Sequence, residues 1–308
     1  MAKTEIQDLG PFLDNRLFIK REDLLPFSFG GNKARKAELF FREIENAQAD
    51  SVVTYGSASS NHCRIIANEC CRRGLPCFII SSPDDGAKTF NRQMMELFGA
   101  RITVVPVEKV HETIERILKE LREQGGKPYF IEGGGHGNIG TEAYVQCYGE
   151  IRKYEAEKQL WFDYIFLASG TGTTQAGLAA GQILAKEDRR IVGISIARKN
   201  PRGRDVVLES VRSYLGARGT EEEIQNAVIF RDEYTDGYGK DDAEVTSVIL
   251  EVLRKFGIPL DSTYTGKAFR GMRDMLRKEN VKGKNILFIH TGGTPLFFDT
   301  LRKQDGAL

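Results

Sequence analysis

Residues 164–185 read YIFLASGTGTTQAGLAAGQILA. Tyr164–Ala168 is a short apolar run of strand length. Ser169–Thr174 is a loop of small polar residues and glycine, and Gln175–Ala185 is alanine-rich and of helix length. A strand that enters a helix through a tight glycine loop is half of a βαβ unit. The same order recurs on both sides. Upstream, Ser51–Tyr55 reads as a strand, His62–Arg73 as a helix, Pro76–Ser81 as a strand and Thr89–Phe98 as a helix. Arg101–Pro106 (strand), Val110–Glu123 (helix) and Tyr129–Glu132 (strand) follow. Downstream, Ile191–Ile196 and Asn285–His290 read as strands, and Asp241–Phe256 and Thr265–Lys278 as helices. The pattern predicts an α/β protein of two doubly wound domains, each with a parallel or mixed sheet, and a ligand cleft between them. A chain of 308 residues is long enough for both cores.

Composition narrows the function classes. Forty-four basic against 43 acidic residues leave a net charge of +1, with no basic cluster of the kind a nucleic acid would require. No apolar run reaches the roughly 18 residues that span a bilayer, and the opening MAKTEIQDLG lacks the apolar core of a signal peptide. A cytoplasmic location is the expectation. Five cysteines, Cys63, Cys70, Cys71, Cys77 and Cys147, are an odd number with no paired metal spacing, so reduced, buried thiols are expected and no metal site.

The glycines carry the functional signal. Loops rich in small residues follow four expected strands: Gly56–Asn61, Gly133-Gly134-Gly135, Ser169–Thr174 and Thr291-Gly292-Gly293-Thr294. In SGTGTT, glycines let several backbone N–H groups face one point, and the following helix adds its positive end. There is no Walker lysine and no dinucleotide fingerprint, so the loop suits a single phosphate without a counter-charged side chain. Ser60-Asn61-His62 closes the first loop. One of its residues can cap the next helix; the rest can receive a carboxylate or a phenolic oxygen.

Lys33 stands in Phe29-Gly30-Gly31-Asn32-Lys33-Ala34-Arg35-Lys36, at the start of a helix expected to run through Phe40. A helix N-terminus disfavours an ammonium and favours the neutral amine that a nucleophilic or Schiff-base lysine needs. On chemistry alone, a solvated lysine in a basic helix start is the favoured reading, since most lysines are merely exposed.

Taken together, these stretches resemble the 1-aminocyclopropane-1-carboxylate deaminase and D-cysteine desulfhydrase family, of the tryptophan-synthase-β-like pyridoxal-phosphate enzymes. IKREDLLPFSFGGNKARK, TYGSASSNHCR, YFIEGGGHGNIGTEAYV, LASGTGTTQAGLAAG, DGYG, YTGKAFRGM and HTGGTP carry the likeness along nearly the whole chain. The resemblance implies pyridoxal 5'-phosphate as cofactor, in a Schiff base with Lys33, which would also remove the substrate's Cα proton. It implies that Asn61 meets the ring hydroxyl and that Ser60, Asn61 and His62 receive the substrate carboxylate, Ser60 counting also as catalytic. Gly170, Thr171, Gly172, Thr173 and Thr174 would bind the phosphate. Tyr238 and Tyr264 would be the active-site tyrosines, and Thr265 and Thr291 would lie near the pyridine nitrogen. A homodimer acting on a small amino acid is implied, with residues 1–46 plus 140–308 as the large cofactor-binding domain and 47–139 as the small one.

One position discriminates within the family. The deaminase branch has a glutamate directly after the second tyrosine; this chain has Thr265. A glutamate would favour a protonated ring and a stronger electron sink, which ring opening needs more than β-elimination does. The expected reaction is therefore α,β-elimination, D-cysteine giving pyruvate, ammonia and hydrogen sulfide. β-Replacement, opening of 1-aminocyclopropane-1-carboxylate and a non-catalytic pyridoxal-phosphate carrier are the alternatives. Departures from the family pattern, Glu132 in place of a proline and Lys240-Asp241-Asp242 after DGYG, bear on the substrate rather than the cofactor.

Overall fold

The computed structural model describes residues 3–83, 88–235, 237 and 242–304. The chain opens with a hairpin, β1 (Ile6–Phe12) and β2 (Asn15–Arg21), and reaches α1 (Asn32–Asn46) through a single 3-10 turn at Glu22–Leu24. Then come β3 (Ser51–Tyr55), α2 (Asn61–Arg73), β4 (Cys77–Ser81), α3 (Phe90–Leu97), β5 (Arg101–Val104), α4 (Val110–Glu123) and β6 (Pro128–Ile131). The second half runs α5 (Asn138–Lys158), β7 (Tyr164–Ser169), α6 (Thr173–Ala185), β8 (Arg190–Ser195), α7 (Arg202–Leu215), α8 (Glu221–Ala227) and β9 (Ile229–Arg231). It closes with α9 (Ala243–Phe256), α10 (Thr265–Lys278), β10 (Asn285–His290) and α11 (Thr294–Gln304).

Two sheets result. The larger has the order β1-β2-β10-β7-β8-β9, parallel except for the β1–β2 edge. The smaller, β5-β4-β3-β6, is parallel throughout. Both are doubly wound, as expected. One face of the large sheet packs Phe166, Val192, Ile194 and Phe288 against Val248, Phe269 and Met272 of α9 and α10. Its other face packs Phe18, Ile165 and Leu287 against Tyr144, Tyr148 and Ile151 of α5. The small sheet buries Val52, Ile79 and Ile131 with α1 and α2, and Val53 and Ile80 with Ile114 and Leu118 of α4. Strands buried on both faces read as unbroken apolar runs, which is why they were legible.

Every strand and helix expected from the sequence is present, with modest shifts of boundary. Strand β5 stops at Val104, not Pro106, and α6 starts at Thr173, two residues early. The helix holding Lys33 runs on to Asn46, past Phe40. Helix α9 starts at Ala243 with Asp242 as its cap; Asp241 lies outside the described residues. The hairpin, α5, α7, α8, β9 and α11 were not anticipated. All five cysteines are free, but only four are buried: Cys71 is exposed, on the solvent side of α2.

Helix α1 is fastened at two levels. Ala34, Ala37, Phe40, Phe41 and Ile44 join the apolar cluster of the small sheet. Behind them Arg35 grips Glu22 (Nε–Oε2 2.5 Å, Nη2–Oε1 2.8 Å) and Glu150 (Nη1–Oε1 2.7 Å). Lys20 donates to Glu150 at 2.7 Å, and Thr4 and Tyr144 donate to Glu22 at 2.6 and 3.1 Å. Two cations balance two carboxylates, so this acidic pair beside Cys147 is an internal ion network.

Candidate active site

The four glycine-rich loops converge. They leave the C-terminal ends of β3, β6, β7 and β10 and wall a single cavity of about 400 Å³ between the two sheets, at the place where open α/β sheets bind ligands. Lys33, Ser60, Asn61, His62, Gly170, Thr171, Gly172, Thr174, Tyr264 and Thr291 all line it. Thr173 is fully buried just beneath, its hydroxyl 3.4 Å from that of Thr171. Tyr238 lies outside the described residues. Thr265 is fully buried and is not part of the cavity wall.

Lys33 is the second residue of α1. Gly31 precedes the helix at φ +96°, and its Cα side is so close to Thr291 O that a Cβ would come within 2.8 Å. Asn32 N–H donates to Thr291 O at 3.0 Å and its Nδ2 to Thr174 Oγ1 at 3.0 Å, so the helix start is stitched to two of the loops. Lys33 Nζ donates to Gly134 O at 3.0 Å. Burial pulls its amine down to about 8, so a substantial neutral fraction exists near neutrality.

One turn on, Lys36 is buried, and its Nζ has no hydrogen-bond partner among the described residues. Burial, helped by the charge of Lys33, pushes it well below the ordinary lysine range. Its stem packs under the second glycine loop, 3.3 Å from where a Cβ on Gly135 would sit.

The loop before α2 is arranged around caps and donors. Ser60 Oγ caps the helix by accepting from Cys63 N at 3.2 Å. Thr54 Oγ1 donates to Ile131 O at 2.7 Å, so its contact with His62 Nε2 at 2.9 Å must be one in which the imidazole donates. His62 therefore carries its proton on Nε2, and Nδ1 is the bare nitrogen. Burial and the neighbouring charges of Lys33 and Lys36 keep this ring neutral, its pKa far below the usual histidine value. Asn61 Oδ1 accepts from Asn91 Nδ2 at 2.9 Å.

At SGTGTT, Gly172 takes φ +92° to turn the chain into α6, whose first N–H groups open on the cavity. Arg198 reaches in from the segment after β8 and donates from Nη1 to Gly170 O at 2.9 Å. Arg198 and Tyr55 also line the cavity, and neither stood out in the sequence because neither sits in a glycine loop.

Thr265 has a different setting from the one its place in the motif suggests. Its hydroxyl donates to Asp261 Oδ2 at 2.7 Å and accepts from Asp261 N at 2.9 Å. Asp261 also takes the backbone N–H groups of Thr263, Tyr264 and Thr265 at 2.9, 2.7 and 3.1 Å. The hydroxyl proton is thus committed to a buried carboxylate behind the cavity wall.

Comparison with known proteins agrees with this geometry. The family described as pyridoxal-phosphate dependent enzyme matches residues 2–292. A Pyrococcus horikoshii protein named as a candidate 1-aminocyclopropane-1-carboxylate deaminase is 35% identical over 90% of this chain and 84% of its own. D-cysteine desulfhydrase of Yersinia enterocolitica is 31% identical over 96% of this chain and 91% of its own. The crystal structure of an ACC deaminase homologue superposes with a TM-score of 0.88 at 32% identity, covering 100% of this chain and 94% of that one. A hydrogen sulfide-producing enzyme of Fusobacterium nucleatum shares the fold, with a TM-score of 0.68 at 18% identity over 95% of this chain and 96% of its own. A match of that extent, on a chain whose motif loops converge on one cavity-lining lysine, makes the chain a member of the pyridoxal-phosphate dependent enzyme family.

Proposed function

We propose that the protein eliminates the β substituent of a small amino acid, D-cysteine first, with water entering and pyruvate, ammonia and hydrogen sulfide leaving. The observation that carries this reading is Lys33: a half-buried amine, easily deprotonated, that opens on a cavity walled by a phosphate-type loop and a carboxylate-type loop.

The residues present fit the cofactor. The cavity lies within the ~300–1,000 Å³ usual for small-molecule sites. Gly134 leaves a cradle that any Cβ would fill, since one there would stand 2.7 Å from Thr171 Cγ2. Gly170–Thr174 would hold the phosphate, Asn61 the ring oxygen and Lys33 the Schiff base, with Thr291 near the pyridine nitrogen. When bound, the cofactor supplies the electron sink that stabilises negative charge at the substrate Cα.

The chain's own groups do the rest. Ser60 and Asn61 present a hydroxyl and an amide to the substrate carboxylate, beside the neutral ring of His62. Lys33 Nζ, displaced by the substrate amine, accepts the Cα proton as the neutral base its lowered pKa allows. Tyr264, with Tyr238, positions the leaving group and its proton. Glycine walls and the apolar Ala168 and Ile196 limit water around the base. Thr265 supports elimination over ring opening: where the deaminase branch has a carboxylate, this chain turns a buried hydroxyl toward Asp261. The same reading includes a cytoplasmic homodimer, for which the family likeness is the support.

The Pyrococcus relative favours ring opening as a second reading. A panel of D- and L-cysteine, D- and L-serine, chloroalanines and 1-aminocyclopropane-1-carboxylate, assayed for pyruvate, 2-oxobutanoate and sulfide, separates them. Sulfide and pyruvate from D-cysteine are expected; 2-oxobutanoate as the dominant product would overturn the proposal in favour of ring opening.

A further inference from the structure

Asn91 stands on α3, outside the cavity wall, yet it governs what Asn61 offers to the cavity. Its side chain is fully buried. Its Nδ2 donates to Ser59 O at 2.8 Å and to Asn61 Oδ1 at 2.9 Å. A backbone carbonyl can only accept, so the Ser59 contact decides which end of the Asn91 amide faces the loop. With nitrogen there, the Asn61 atom beside it must be oxygen. The orientation of both amides follows from connectivity. Arg64 Nη2, donating to the same Asn61 Oδ1 at 3.4 Å, agrees with it. The carbonyl end of Asn61 is occupied away from the ligand, and its NH2 remains for the cavity it lines.

The surroundings hold Asn91 still. Thr89 Oγ1 caps α3 by accepting from Arg92 N at 3.2 Å, and it donates to Ala58 O at 3.2 Å. Phe90 N–H meets both carboxylate oxygens of Asp299, on α11, at 3.2 Å. Among the described residues, Asn91 Oδ1 itself has no partner. An amide buried with its acceptor unpaired is there for its two donors.

We propose that Asn91 is a positioning residue for the cofactor ring: it locks Asn61 with the amide NH2 toward the cavity, so that Asn61 donates to the ring's phenolic oxygen. This rests on the site being a pyridoxal-phosphate site. The test uses the cofactor-loaded protein and the variants Asn91→Leu, Asn91→Ala, Asn61→Ala and Asn91→Ala/Asn61→Ala. Two readouts serve: the pH midpoint of the visible band of the Lys33-linked cofactor, and the dissociation of pyridoxal phosphate. A donor to the phenolic oxygen lowers its basicity, so its loss raises the midpoint. Both Asn91 variants and Asn61→Ala should move it up by about half to one pH unit and loosen the cofactor several-fold, and the double variant should move it no further. Alanine leaves room for a water, so it keeps the test alive should leucine not fold. Asn91 variants with the wild-type midpoint overturn the proposal, as do shifts that add in the double variant. A wild-type protein with no Lys33-linked band would instead overturn the reading of the site itself.

Discussion

Lys33 and Lys36 are one helical turn apart and both are pushed toward neutrality, but their surroundings differ. Lys33 has a partner, Gly134 O, and a cavity in front of it; Lys36 has neither. Burial holds the Lys33 amine at about 8 against about 10.5 for an exposed lysine. The folded protein therefore sheds this proton between roughly pH 8 and 10.5, where the unfolded chain keeps it, and stability of the cofactor-free protein rises with pH across that window. The rate at which that protein captures pyridoxal phosphate should follow the neutral amine. It is expected to climb through a midpoint near pH 8, measured by stopped-flow absorbance; a midpoint near 10.5 would refute the burial argument. Thr265 makes a second residue-scale prediction. Thr265→Val removes the hydroxyl that Asp261 accepts from and donates to, leaving a buried carboxylate short of one donor. Destabilisation of about 1–3 kcal/mol is expected in urea unfolding. Neither Asn91, thirty positions from its partner, nor Asp261 was legible in the sequence, because a polar contact across a loop leaves no periodic trace.

At the scale of elements, the sequence was most readable where a strand is buried on both faces and ends in glycines. The strands Ser51–Tyr55 and Asn285–His290 match their expected bounds to the residue. It was least readable where a helix is covered on several sides. Helix α5 buries Gly140, Thr141, Ala143, Tyr144, Cys147, Tyr148 and Ile151, so small and aromatic residues blur its stripe. Its partner α6 comes so close that a Cβ on Gly177 would lie 2.4 Å from Tyr144 Cβ, and one on Gly181 2.6 Å from Tyr148 Cβ. Those glycines fall inside the helix expected from the sequence, and in the fold they are its contacts with α5. The second glycine loop yields a prediction of its own. Gly134 sits at φ +73°, with Thr171 against the missing Cβ. Gly134→Ala should strain the turn and push on the phosphate loop, weakening pyridoxal-phosphate binding by about tenfold while the protein stays folded. Equilibrium dialysis with the cofactor checks it.

Across the whole molecule, α1 is the joint. Its apolar face belongs to the small sheet's core, while Arg35 is tied through Glu22 and Glu150 to the segment after β2 and to α5. We propose the division into residues 1–46 plus 140–308 and 47–139, with α1 as the shared boundary element. Burial would raise the Glu22 carboxyl, but Arg35, Lys20 and Thr4 outweigh it and hold it at about 2. A folded-state value below the unfolded one means the network stabilises above about pH 4.5 and is lost as pH falls toward 2. Glu22→Ala should cost about 3–5 kcal/mol at neutral pH, because it leaves two buried cations, Arg35 and Lys20, sharing the single carboxylate of Glu150. It should also flatten the acid limb of the stability curve, followed by denaturant titration at several pH values.

Convergence of the glycine loops on one lysine is the centre of this account, and it can be read directly. The protein is loaded with pyridoxal phosphate, reduced with borohydride, digested and mapped by mass. A phosphopyridoxyl group on Lys33, absent in Lys33→Ala together with all turnover, is the predicted result. A label on Lys36 or elsewhere with Lys33 unmodified, or wild-type turnover in Lys33→Ala, would contradict it.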